Sequence, residues 1–270
     1  AALKPKAIAI GTYGGTSTDA YPGIGRLNMY GGQFLCGPDV QVSAPGNNHG
    51  HGFVNLCGGV LQAKNIVRAK SGTMSEGHVR FDGGTFRPLQ AGATMKGLTD
   101  VTVGAGGGTV ELVDGQTYTI AQAVTRAADL GDDGADGGLR AAGDGTLVLG
   151  AANAFTGPVG AVGADATLKL GVAGAFSDCV VLEGGTIDLN GQDVTFRSVS
   201  GFGRIVNGNV RVTESLAVEG EAGATLAFGG NLTVAAGAYV GVPISADGTG
   251  DQINVKGDLV FEGKVGFDLG

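Results

Sequence analysis

A pair of glycines, followed after one residue by an apolar side chain, recurs along this chain. It appears as Gly31-Gly32-Gln33-Phe34, Gly58-Gly59-Val60-Leu61, Gly83-Gly84-Thr85-Phe86, Gly107-Gly108-Thr109-Val110 and Gly184-Gly185-Thr186-Ile187. The first three steps are 27, 25 and 24 residues, and the last gap, 77, is close to three such steps. Four places before the pair stand Leu27, Val54, Val79, Val103 and Val180; two places before stand Met29, Leu56, Phe81, Ala105 and Leu182. Apolar residues also alternate after it, with Cys36 on the inward side. Period-two alternation marks short strands with one buried face. A recurring unit of about 25 residues that cannot close its own core must stack on copies of itself. The pattern predicts an all-β chain folded as a single-stranded, right-handed parallel β-helix, or β-solenoid, with coils of about 20–27 residues. Residues 1–24 are expected as an N-terminal lead or cap, and 25–270 as the solenoid. An antiparallel sandwich also has short strands and Gly-rich turns, but does not require columns at a constant period.

Composition fits stacked corners. Glycine fills 54 of 270 positions, roughly three times its usual ~7% share, and glycine alone reaches positive φ without steric cost. With 43% hydrophobic and 16% charged residues, the chain is neither a disordered polyelectrolyte nor collagen. Seventeen basic against 25 acidic residues give a net charge of -8. Without a basic cluster this argues against a nucleic-acid partner. No apolar run reaches the ~18–20 residues of a membrane helix, so no membrane insertion is expected. The start at Ala1-Ala2-Leu3-Lys4, with neither Met nor a signal core, and the end in mid-pattern at Gly270 read as a processed or excised piece of a longer parent. Cys36 falls on an inward column and Cys57 on an outward one, so they should not bridge, and free thiols are expected.

The middle of the chain reads Gly137-Gly138-Leu139, then Gly143-Asp144-Gly145-Thr146-Leu147-Val148-Leu149, then Asn153-Ala154-Phe155-Thr156-Gly157. Further on come Ala166-Thr167-Leu168-Lys169-Leu170-Gly171 and Gly184-Gly185-Thr186-Ile187-Asp188-Leu189-Asn190-Gly191, and late in the chain Asp251 to Leu259. These segments resemble the autotransporter-associated β-strand repeat of passenger domains, with Phe155 in place of the usual Tyr. The resemblance is specific over about residues 100–270 and looser from 25 to 100. It implies a secreted β-helix from a bacterial surface protein, located outside the cell or on its surface. The motif carries no catalytic residues.

Three groups of residues are candidates for chemistry. His78, Arg80 and Asp82 sit two apart on one outward strand face, a spacing that equally suits a solvated ion pair. The loop Asn47-Asn48-His49-Gly50-His51-Gly52 presents two imidazoles, His49 and His51, as candidate metal ligands, with Cys57 or His78 near; a structural zinc site wants four ligands. Asp129, Asp132, Asp133 and Asp136 supply hard oxygens for calcium, although the Glu that ends an EF-hand loop is absent. Asp82 and Glu183 align in one column about four coils apart, roughly 19 Å at the usual strand spacing, too far to cooperate as a carboxylate pair.

The expected function is a non-enzymatic structural or adhesive module that displays loops or assembles into a surface structure. No catalytic residues are expected, and no cofactor other than calcium. Its expected partners are copies of itself through coil edges, or a host or matrix glycan or protein receptor. The alternative is a carbohydrate-active β-helix, lyase-like or glycosidase-like.

Overall fold

The valines and leucines that alternate along each short strand find their partners one coil away. In the computed structural model, which describes residues 7–11, 23–43, 50–68, 75–132, 134–244, 248–262 and 266–268, Val54 pairs with Val79, Val79 with Val101 and Val101 with Val124. All four are fully buried. A second ladder runs Tyr118, Leu147, Leu168, Ile187, Ile205 and Phe228, every member inside. These ladders are parallel, and apart from one 3-10 turn at Ala128–Leu130 the described residues form only strands, turns and loops. The fold is therefore the parallel β-solenoid that the alternation predicts. A stacked row of like apolar side chains removes each from water against the rungs above and below, worth about 1.5–3 kcal/mol for each fully buried large residue.

Each full coil turns through three sides. The first side carries Glu76–Phe81, Asp100–Val103 and Val124–Arg126. The second carries Thr85–Pro88, Gly108–Leu112, Leu139–Gly143 and Val159–Val162. The third carries Thr117–Ile120, Thr146–Leu149 and Thr167–Leu170. Longer strands such as Gly50–Ala63 and Cys179–Asp188 run through a corner and serve two sides. Ala7–Ile10 pairs in parallel with Asp39–Val42, and that strand with Ile66–Arg68, so part of the expected lead lies in a sheet alongside the first coils. Among the described residues, no helix is long and apolar enough to cross a membrane.

Two details of the repeat depart from the sequence alignment. The step from Phe81 to Thr85 is four residues, whereas in the next coil the matching step, Val103 to Thr109, is six. The extra residues swell the corner at 104–106, leave Ala105 exposed and put Val103, not Ala105, against Phe81. A two-residue slip keeps every side chain on its own face, so the alternation survives it unseen. The fifth glycine pair is out of phase altogether. Gly83-Gly84 and Gly107-Gly108 turn the chain from the first side to the second, but Gly184-Gly185 turns it from the second to the third, and Ile187 pairs with Leu168 on the third side. Coils shrink from 31 residues, Val110 to Ala141, to 16, Val194 to Val210, so the gap of 77 is not three equal steps. Glu183 and Asp82 consequently do not share a column.

The motif segment 153–157 works as a tie between coils. Asn153 Oδ1 accepts from Val124 N at 2.7 Å and its Nδ2 donates to the Ala175 carbonyl at 2.6 Å, linking three successive coils, while Phe155 is buried. Between the bridge at Ala154 and the strand Val194–Val206, the first side carries no strand. At that level the loop 171–178 takes its place.

Candidate functional site

The outward face of the first side gathers the densest ionisable chemistry. Along it Arg26 pairs in register with Phe53, Phe53 with His78 and His78 with Asp100; beside them His51 pairs with Glu76. Strand spacing of ~4.8 Å brings these neighbours into contact. The Arg26 guanidinium sits 4.8 Å over the Phe53 ring, and that ring stacks on His78 at 4.5 Å with an 8° tilt. His78 Nδ1 lies 2.8 Å from Asp100 Oδ2 and its Nε2 lies 3.3 Å from Glu76 Oε2; His51 Nδ1 reaches the same Glu76 oxygen at 2.8 Å. Histidines and carboxylates thus alternate across three coils. Hydrogen bonding to Asp100 outweighs burial and raises the His78 pKa above its ordinary value.

Next on the same strand, Arg80 binds two acids. Its Nη2 lies 2.9 Å from Asp82 Oδ2, and its Nη1 contacts both oxygens of Asp129 at 2.8 and 2.7 Å. The guanidinium holds the Asp129 carboxyl below the usual range. Asp129 lies in the insertion of the 31-residue coil, which Arg126 folds back: its Nε donates to the Gly134 carbonyl at 2.7 Å and its Nη2 donates to the carbonyls of Gly131 and Gly134.

The residues expected to bind metal lie apart. His51 is not in a loop as expected but in the strand Gly50–Ala63, facing Glu76; His49 lies outside the described residues. Asp133 also lies outside them. Asp129 is occupied by Arg80, and Asp132 is exposed on the surface of the inserted loop. Asp136 is buried, its carboxylate accepting from Gly138 N, Thr156 N, Thr156 Oγ1 and Gly157 N at 2.6–3.0 Å. Among the described residues, no three His, Cys, Asp or Glu side chains are grouped to hold a metal ion. The three cysteines are free, Cys36 buried and Cys57 half-buried, as the column assignment predicts.

Sequence reasoning found His78, Arg80 and Asp82 but missed Glu76 and Asp100. Glu76 stands 25 residues after His51, one ordinary coil, which is the signal that marks it. Asp100 was hidden by the swollen corner at 104–106, which shifts the register by two and replaces Thr102 with Asp100 beside His78.

The pairing of unlike charges continues around the rod. Arg87 meets Glu111 at 2.6 Å, Arg140 meets Glu183 at 2.7 Å, Lys169 meets Asp188 at 3.2 Å, and Arg197 meets Asp178 and Glu214. At one corner Asp193, Asn209, Asn231 and Asp258 occupy equivalent places. Asp193 Oδ1 accepts from Asn209 N, Asn209 Oδ1 from Asn231 N, and Asn231 Oδ1 from Asp258 N. No family model, curated protein or solved structure matches the chain.

Proposed function

We propose that this chain is a non-enzymatic structural or adhesive module of a bacterial surface protein, a rod that carries loops and sidewalls outside the cell. One observation carries this reading: many outward charged residues are paired with an opposite charge on a neighbouring coil. His51 with Glu76, His78 with Asp100, Arg87 with Glu111, Arg140 with Glu183 and Lys169 with Asp188 each join strands one or two coils apart. A catalytic constellation needs groups left poised toward a substrate. Here acids and bases are aimed along the stack, which is the chemistry of a scaffold. The resemblance of residues 137–157 to the passenger repeat supports the extracellular placement.

Electron microscopy of the purified chain over a concentration series, with Ca²⁺ and with chelator, tests the reading, together with a reducing-end assay on a panel of polysaccharides. The expectation is rods on the order of 50 Å long, from about ten rises of ~4.8 Å, either isolated or joined end to end, and no release of reducing ends. Isolated rods indicate display, and filaments indicate assembly through coil edges. Sustained release of reducing ends would overturn the non-enzymatic reading.

A further inference from the structure

Where the first side loses its strand, the wall of the solenoid recedes. The loop 171–178 and, in the next coil, the turn 190–193 with the start of the strand Val194–Val206 border a recess of about 270 Å³. Leu170, Phe176 and Val194 form its apolar part, and Asp178, Gln192, Asp193 and Thr195 its polar rim. The volume lies just under the ~300–1,000 Å³ of sites for drug-sized molecules, which limits an occupant to about one small ring.

The rim is held before any ligand arrives. Arg197 Nε donates to Asp178 Oδ2 at 3.2 Å and the Cys179 thiol to Oδ1 at 3.4 Å. Among the described residues Asp193 is fixed through one oxygen only, Oδ1, by the backbone N and Nδ2 of Asn209 at 3.2 and 2.8 Å. Its second oxygen remains an acceptor. The Gln192 amide and the Thr195 hydroxyl make no hydrogen bond among the described residues, so an acceptor-only group, a two-way amide and a two-way hydroxyl border one cavity. A ligand that satisfies this set must donate to the carboxylate, exchange hydrogen bonds with the amide and hydroxyl, and lay an apolar edge against Phe176. Adjacent hydroxyls on a saturated ring meet all three demands. Two carboxylates on the rim and a net charge of -8 oppose an anion.

We propose that this recess binds one neutral sugar ring of a glycan. The assignment rests on the display reading above and names the class of partner that the rod meets.

The test is amide chemical-shift titration of the ¹⁵N-labelled full chain with methyl β-galactoside, methyl α-mannoside, N-acetylglucosamine and, as the acidic control, sialic acid, each into the millimolar range. Shifts confined to residues 176–178 and 192–195, given by at least one neutral sugar and absent with sialic acid, are expected. Gln192→Ala should weaken that binding about tenfold, the equivalent of one hydrogen-bonding partner, and Thr195→Val should weaken it similarly without a change in the circular dichroism spectrum. No shift with any neutral sugar, shifts outside the recess, or binding undiminished in both variants would overturn the proposal. Equal shifts with Ca²⁺ alone would overturn it in favour of a cation site. A negative sugar titration leaves rods and filaments in the microscope unaltered, so its failure is separable from failure of the display reading.

Discussion

Asp100 Oδ2 lies 2.8 Å from Nδ1 of His78, one coil away, and that contact should make part of the rod's stability depend on pH. Glu76 and, through it, His51 face the same imidazole network; Arg80 follows on the same strand, and Phe53 and Arg26 stack from the other side. The His78 pKa is raised in the fold. Its contribution is therefore fully present below the unfolded histidine value of ~6.5 and is lost as pH rises through the higher folded value. The unfolding free energy from denaturant titrations should fall over that window by on the order of 0.5–1 kcal/mol, the scale of a partly exposed pair. Asp100→Asn should flatten the profile there, and an unchanged profile in that variant would show that the contact contributes nothing.

Asp136 and Asp129 stand seven residues apart in one acidic segment, and their removal should have unlike effects. Asp136→Ala strands the buried N–H groups of Gly138 and Gly157 and frees that of the exposed Thr156, with an expected loss of about 3 kcal/mol. Asp129→Ala removes an exposed partner of Arg80, which still holds Asp82, and should lose under about 1 kcal/mol. Urea titration of the two variants checks the contrast; equal losses would contradict these environments.

Gly138 has φ +73, and a Cβ placed there would lie 1.9 Å from the Pro158 carbonyl oxygen of the next coil. Gly138→Ala must separate two coils and should cost about 3 kcal/mol or more. Gly115 has φ +65 with open space around it, so Gly115→Ala should cost only about 1–2 kcal/mol of backbone strain. Thermal unfolding of both separates the demand for space from the demand for φ.

The Tyr118 hydroxyl donates to Asn65 Oδ1 at 2.5 Å inside the solenoid, and Asn65 Nδ2 donates to the Thr94 carbonyl at 3.1 Å. Burial drives the Tyr118 pKa far above its ordinary value. Tyr118→Phe leaves Asn65 Oδ1 still bonded to Ile66 N and should cost about 1 kcal/mol. Asn65→Ala removes the whole bridge and should cost about 2–3 kcal/mol. Chemical denaturation of the two variants gives the order; the reverse order would move the weight of the bridge from Asn65 to Tyr118.

The outward placement of His78, Arg80 and Asp82, the burial of Cys36 and the inward columns Leu27 to Val79 were legible because side chains alternate across a strand whatever surrounds it. The partners of His78 and Arg80 were not. Asp129 approaches Arg80 only because an insertion of that coil folds over the strand, and Asp100 reaches His78 only because one corner is two residues longer. Neither change disturbs the alternation, so neither leaves a mark in it.

The sequence by itself determined that short strands with one buried face repeat at glycine corners, and hence that coils stack in parallel. Period and parity are local properties of the chain, and a unit too thin to enclose a core has no other way to bury its apolar face. Only the tertiary structure decided which corner each glycine pair turns, since both corners leave no room for a Cβ. Gly108 and Gly185 meet that same constraint on different sides, against Phe81 and Ala161. Coil lengths of 16 to 31 residues then settle which charged groups lie over one another, and that choice depends on the sum of all earlier turns rather than on any single stretch of residues.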